Sequence, residues 1–91
     1  MTTQDKIKKV CASVEAVLLE KNTRYGDSAL NPIKIFSKTD AANGLAQRID
    51  DKLSRIKNST DLRKNDVYDL IGYMILLCCE KYFLDGSDLI D

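Results

Sequence analysis

Histidine is absent from this 91-residue chain, and no two of its three cysteines stand in a C-x-x-C pair. Both absences argue against a structural zinc site, which draws four ligands from Cys and His. The cysteines, Cys11, Cys78 and Cys79, are odd in number, and two are neighbours in an apolar run. That pattern predicts reduced thiols in the core and a cytoplasmic setting rather than a disulfide framework. An excess of charge is missing too: 14 Lys plus Arg balance 14 Asp plus Glu. No global field therefore draws the chain to a membrane surface, and no direct DNA binding is expected. The longest uncharged run, Leu70 to Cys79, falls far short of the roughly 20 residues that a membrane span needs. The opening MTTQDKIKKV lacks the apolar core of a signal peptide. No stretch alternates with period two, no glycine-rich phosphate loop occurs, and no repeat is found, which leaves an all-α fold.

What the chain does contain is helical periodicity. In QDKIKKVCASVEAVLLEKN, the residues Ile7, Val10, Cys11, Val14, Val17 and Leu18 recur at steps of three and four. They form one apolar helix face, ended by Asn22 and Thr23. The next stretch, TRYGDSALNPIKIFSKT, keeps no period and holds Gly26 and the single proline, Pro32. Proline favours the first helical position, so one short turn is predicted over 32–36. Connections this long in a small domain are often functional. Thr39 or Asp40 caps a second helix over 41–58, with Leu45, Ile49, Leu53 and Ile56 as its apolar stripe. Asn65 caps a third over 66–84, with Gly86 as its stop signal.

The segment YMILLCC is apolar all round, which predicts burial on several sides and places Cys78 and Cys79 in the core. Gly72 is expected to admit a close helix neighbour. Three helices are too few to cover such a rod, and a chain this short buries only roughly 60–65% of its unfolded surface. The expected unit is thus a single all-α domain over 1–91, with three main helices and an acidic, frayed tail at 85–91. Such domains are expected to assemble as a homo-oligomeric bundle, dimer or higher.

Two polar stripes flank the apolar faces. Arg48, Asp51, Lys52 and Arg55 share one side of the second helix at i, i+3, i+4 and i+7. Asp66, Asp69 and Tyr73 share one side of the third. If antiparallel packing joins these stripes at one groove, the carboxylates suit Mg2+ and the basic groups suit phosphate. Tyr73 would stack on a base, and a nucleotide is the ligand that uses all of these groups. The plainer reading of the same residues is a solvated face. Acidic residues favour a helix's first turn on electrostatic grounds alone, and Asp51 with Arg55 makes an ordinary i, i+4 pair.

Three stretches, LLEKNTRYGDSALNP, GLAQRIDDKLSRIKN and NDVYDLIGYMILL, resemble in order the sequence blocks of the nucleotide-modification-associated domain 1 family. That family is common in phages and prophages and is similar to the all-α NTP pyrophosphatases of the MazG-like group. The resemblance implies functional positions at Lys21, Tyr25, Gly26 and Asp27, at Arg48, Asp51, Lys52 and Arg55, and at Asp66, Asp69 and Tyr73. By the same resemblance, Asp51, Asp66 and Asp69 hold Mg2+ and are catalytic in nucleoside triphosphate pyrophosphohydrolysis. Lys21, Tyr25, Arg48, Lys52, Arg55 and Tyr73 bind the phosphates and nucleotide. The chain departs from the MazG-like E-E-x-x-E helix, because Asp50-Asp51-Lys52-Leu53-Ser54 ends in serine and basic residues crowd the motif. Fewer carboxylates and more cations weaken a metal cage but improve an anion pocket. Two further readings stand beside the enzyme: sequestration of a nucleotide or host-defence signal without hydrolysis, and a helical module that docks a partner protein.

Overall fold

The structure, a computed structural model, describes residues 1–90 and consists of three helices. α1 spans Thr3–Tyr25. A capping box starts it: the Thr2 hydroxyl accepts from the Asp5 N–H at 3.1 Å, and the Asp5 carboxylate accepts from the Thr2 N–H at 3.0 Å. Two otherwise unbonded donors are satisfied reciprocally. The helix passes its expected stop at Thr23 and ends at Gly26, which takes the left-handed conformation with φ 63. Asp27 follows at φ 61, a conformation that a short polar side chain tolerates better than most. Its carboxylate accepts hydrogen bonds from the side-chain amides of Asn22, at 2.9 Å, and Asn31. This staple folds the turn after Tyr25 back on the end of α1.

The helical turn expected over 32–36 does not form. Lys34 is left-handed, with φ 58, which breaks the run of right-handed dihedrals that a helix requires. The segment is extended or bent, and Ile33, Ile35 and Phe36 face solvent, Phe36 at 99% exposure.

α2 spans Ala41–Asn58, as expected, and Asp40 caps it by accepting from the Asn43 N–H at 2.8 Å. Its inner face is turned from the expected stripe. Ala41, Leu45 and Lys52 are buried, Ile49 and Ile56 half-buried, and Leu53 exposed. Lys52 follows Leu45 by seven residues and so lies within about 20° of it around the helix, whereas Leu53 lies about 80° away.

α3 spans Lys64–Glu80, starting two residues earlier and ending four earlier than expected. Arg63, not Asn65, holds the cap position, and it does so without a side-chain bond. The helix closes in a Schellman motif: the Phe83 N–H donates to the Cys78 carbonyl at 2.9 Å and the Tyr82 N–H to that of Cys79 at 3.2 Å. Tyr82, at φ 58, takes the left-handed position that glycine usually fills. Gly86 instead precedes a 3₁₀ turn at Ser87–Leu89, where Ser87 bonds the Asp85 carboxylate. The tail is therefore locally ordered, not frayed throughout.

α2 and α3 run antiparallel, since Lys52 meets Asp66 and Asp69 while Arg48 meets Tyr73 further along. α1 packs on α3 and not on α2. Among the described residues the buried apolar core is Val14, Ala41 and Leu45. The expected burial of α3 on several sides is not met within the chain. Met74, Ile75 and Cys78 are exposed, Cys79 is half-buried, and Cys11 is exposed on α1. α1 and α2 both pack on α3, and among the described residues no third element covers the rest. None of the helices is long and apolar enough to cross a membrane.

Candidate functional site

A buried charge cluster joins α2 to α3. The Lys52 ammonium donates to Asp66 Oδ1 at 3.3 Å and lies 2.9 Å from Asp69 Oδ2. From α1, Lys21 donates to Asp69 Oδ1 at 3.2 Å. The side chains of Lys52, Asp66 and Asp69 are only 8%, 9% and 15% exposed. Removing such charges from water is expensive unless each is paired, and here each one is. The cluster thus ties all three helices together at a single point.

Pairing sets the ionisation of the cluster. The hydrogen bond to Asp69 leads in raising Lys52 above its ordinary value of 10.5, against the opposing cost of burial. For Asp69, burial favours the neutral acid, but the bonds and charges of Lys52 and Lys21 outweigh it. Its carboxyl therefore lies below the ordinary 3.8. A lowered acid means that the folded state binds fewer protons than the unfolded one, so Asp69 stabilises fully above about 3.9 and loses that contribution as pH falls through its folded value. A raised amine does the reverse: the stabilisation from Lys52 is complete below about 10.4 and is lost as pH rises through its folded value. Melting temperature against pH should accordingly form a plateau between these limits. Asp69→Asn should flatten the acid limb, and an unchanged acid limb in that variant would show that other carboxylates set it.

Above the cluster, α1 and α3 enclose a hollow of about 290 Å³. Its floor is apolar, formed by Val14, Leu18 and Leu76 around Gly72. Gly72 permits the close approach, since an added Cβ there would meet Leu18 Cδ2 at 3.0 Å. Lys21 and Asp69 stand at one side of the hollow, and Arg48 and Tyr73 line it from α2 and α3. The Arg48 guanidinium lies 6.0 Å from the centre of the Tyr73 ring, within the range of a cation–π contact. No carboxylate of the described residues forms a salt bridge with Arg48.

Of the residues expected to form a site, Lys21, Tyr25, Arg48, Asp69 and Tyr73 line this hollow, as does Asp27. Lys52 and Asp66 lie beneath it in the charge cluster. Asp51 is exposed and lines no part of the hollow. Arg55 opens instead onto a shallower depression beside Arg63 and Asp66. The expected row of α2 is therefore split: Lys52 is buried, Arg48 borders the hollow from an exposed position, and Asp51 joins neither. Two contributors went unrecognised in the sequence. Tyr68 lines the hollow and donates its hydroxyl to Ser13 at 3.1 Å, and Asn22 lines it while holding Asp27. Tyr68 precedes Gly72 by one helical turn, so their shared face was readable once Gly72 was taken as a contact with another helix.

A divalent cation fits this donor set poorly. Both oxygens of Asp69 and one of Asp66 are already engaged by ammonium groups, and Asp51 stands apart. Among the described residues, no three His, Cys, Asp or Glu side chains gather where they could hold a metal ion. Lysine occupies the place between the carboxylates that a metal would need. Fold and site together define a small all-α protein with a lysine–aspartate cluster under an interhelical hollow. Comparison of the chain with protein families, with curated proteins and with solved structures finds no match.

Proposed function

We propose that this chain binds a nucleotide in the hollow between α1 and α3 and holds it without a metal and without hydrolysing it. The observation that carries the reading is Arg48: a guanidinium that pairs with no carboxylate among the described residues, set over an aromatic ring at a hollow that also presents Lys21. A planar fork and a compact ammonium suit phosphate oxygens, and Tyr73 and Tyr25 offer faces to a base. The volume, about 290 Å³, is at the lower end of small-molecule sites, about 300–1,000 Å³. It admits one ring system against the apolar floor and leaves charged groups at the mouth. The activity implied by the family resemblance, magnesium-dependent pyrophosphohydrolysis, would require Lys52 and Lys21 to release the carboxylates first. Sequestration of a nucleotide, such as a defence signal in the cytoplasm of a phage-infected bacterium, needs no such rearrangement. The same reading takes the working unit as a homo-oligomer, because the apolar side of α3 is left uncovered in one protomer.

The test is a thermal-shift screen of nucleotides with magnesium and with a chelator. A ligand at 100 times its dissociation constant adds about 2.7 kcal/mol, a shift of roughly 10 °C or more in a domain of this size. The shift should survive chelation, and heating the complex should return the nucleotide intact. Arg48→Ala should weaken binding by about 1.5–3 kcal/mol, the range for a hydrogen bond to a charged group. Pyrophosphate release, or a shift seen only with magnesium, would replace binding by hydrolysis. A panel with no shift at all would end the nucleotide reading.

A further inference from the structure

Two acids line the hollow, Asp69 and Asp27. Asp69 is neutralised by Lys21 and Lys52. Asp27, half-buried in the turn after α1, forms no ion pair among the described residues. Neutral amides fix it instead. Asn22 Nδ2 donates to Asp27 Oδ1 at 2.9 Å, and Asn31 Nδ2 donates to Oδ2. The same two residues fix its backbone. The Asp27 N–H donates to the Asn22 carbonyl at 3.3 Å, and the Asn31 N–H donates to the Asp27 carbonyl at 3.0 Å. A carboxylate accepts at about four lone-pair sites, so each oxygen keeps capacity for a further donor. In a hollow that held phosphate alone, such a group would be a defect, since it repels the ligand's charge. It favours only a ligand that brings donors to it, and penalising the others is how one ligand is chosen.

We infer that Asp27 is the specificity-determining residue of the hollow and that the nucleotide it selects carries guanine. The inference rests on the nucleotide reading above. Lys21 and Arg48 take the phosphate, while the two oxygens of Asp27 accept from N1–H and the 2-amino group of the base. Two parallel N–H···O bonds to one carboxylate combine strength with fixed geometry. Tyr25, two residues before Asp27, lines the same hollow and offers its ring to the base. Among the common bases only guanine sets two donors side by side on its pairing edge. Adenine and cytosine place a bare ring nitrogen beside their amino group, and uracil flanks its single N–H with carbonyls. Each of these turns an acceptor toward the carboxylate and is repelled. Ribose hydroxyls also donate in pairs, but they rotate, whereas the guanine donors are coplanar and match a carboxylate held at both oxygens.

The test is calorimetric titration of the full chain with the monophosphates of guanosine, inosine, adenosine and deoxyguanosine. Inosine lacks only the 2-amino group, and deoxyguanosine only the 2′-hydroxyl. Guanosine and deoxyguanosine monophosphates should bind alike, and inosine monophosphate about tenfold or more weakly, the loss of one bond to a charged group. Adenosine monophosphate should bind more weakly still. Asparagine tolerates the left-handed backbone and presents a donor beside an acceptor, so Asp27→Asn should abolish the preference for guanine and turn it toward adenine. In Asn31→Ala, which loosens the turn but keeps the carboxylate, the guanosine-to-inosine ratio should persist; its loss there would mean that the turn, not the carboxylate, sets the preference. If Asp27→Asn does not fold, the ratio in the wild-type chain decides. Equal affinity for guanosine and inosine monophosphates, or an unchanged ratio in Asp27→Asn, would overturn the assignment and leave nucleotide binding standing. A penalty for deoxyguanosine without one for inosine would place ribose at Asp27 and overturn guanine selection. Binding of none of them would overturn the inference together with the nucleotide reading.

Discussion

Replacing Lys52 with methionine should destabilise the protein by about 3–5 kcal/mol, the cost of leaving buried charge without its partner. Methionine matches lysine in length and volume, so the packing between α2 and α3 is largely kept and the change isolates the charge. Asp66 loses its one salt bridge among the described residues, whereas Asp69 keeps Lys21. Native domains hold about 5–15 kcal/mol in all, so the variant would melt more than about 10 °C lower. Its deficit should shrink as the solution is acidified, because the Lys52 bond that helps hold Asp69 below its ordinary 3.8 stabilises the fold only while Asp69 is ionised. Lys52→Met combined with Asp66→Asn should recover part of the loss at neutral pH. A deficit below about 1 kcal/mol is what an exposed ion pair gives, and that result would place the cluster in water.

The second large effect is expected from Leu45→Ala. Leu45 is 1% exposed and is one of three buried apolar residues among those described. Truncating a buried leucine costs about 2–5 kcal/mol, through lost transfer energy and the cavity left behind. No charge is uncovered, so this deficit should stay constant across the pH plateau, which separates it from Lys52→Met. Urea unfolding of both variants at one fixed protein concentration makes the comparison. A loss under about 1 kcal/mol for Leu45→Ala would mean that the core relaxes to fill the site, or that α2 is anchored chiefly by the charge cluster.

These two residues also show where reading the sequence succeeds and where it stops. The bounds of α2 were legible because Asp40 supplies a strong cap and the leucine–isoleucine stripe is regular. The end of α3 was not, because Tyr82 adopts a conformation usually reserved for glycine. The sequence offers no special residue there, and Gly86 drew the expected stop downstream. Lys52 is the more instructive case. Its spacing from Leu45 put it on the inner face all along, but lysine is so seldom buried that composition argued for the flank. Only the arrival of Asp66 and Asp69 from α3 makes burial affordable. The three sequence blocks containing Lys21, Arg48 and Asp69 do converge on one region, yet adjacency along a helix did not guarantee company in space. Asp51, next to Lys52 in the chain, is turned by about 100° and lies outside the hollow.

The chain by itself determined an all-α architecture, its three helices and the residue types available to a site. Those properties depend on local dihedral preference and on apolar periodicity, both of which are written within a few turns of chain. The tertiary structure decided which of the charged residues are paired, that Lys52 takes the position between two carboxylates, and that Arg48, unpaired among the described residues, lies over Tyr73. It also left one side of α3 bare among the described residues. Such outcomes depend on which helix faces meet and at what distance, and Coulomb and desolvation energies change too steeply with distance and burial to be read from spacing along a single helix.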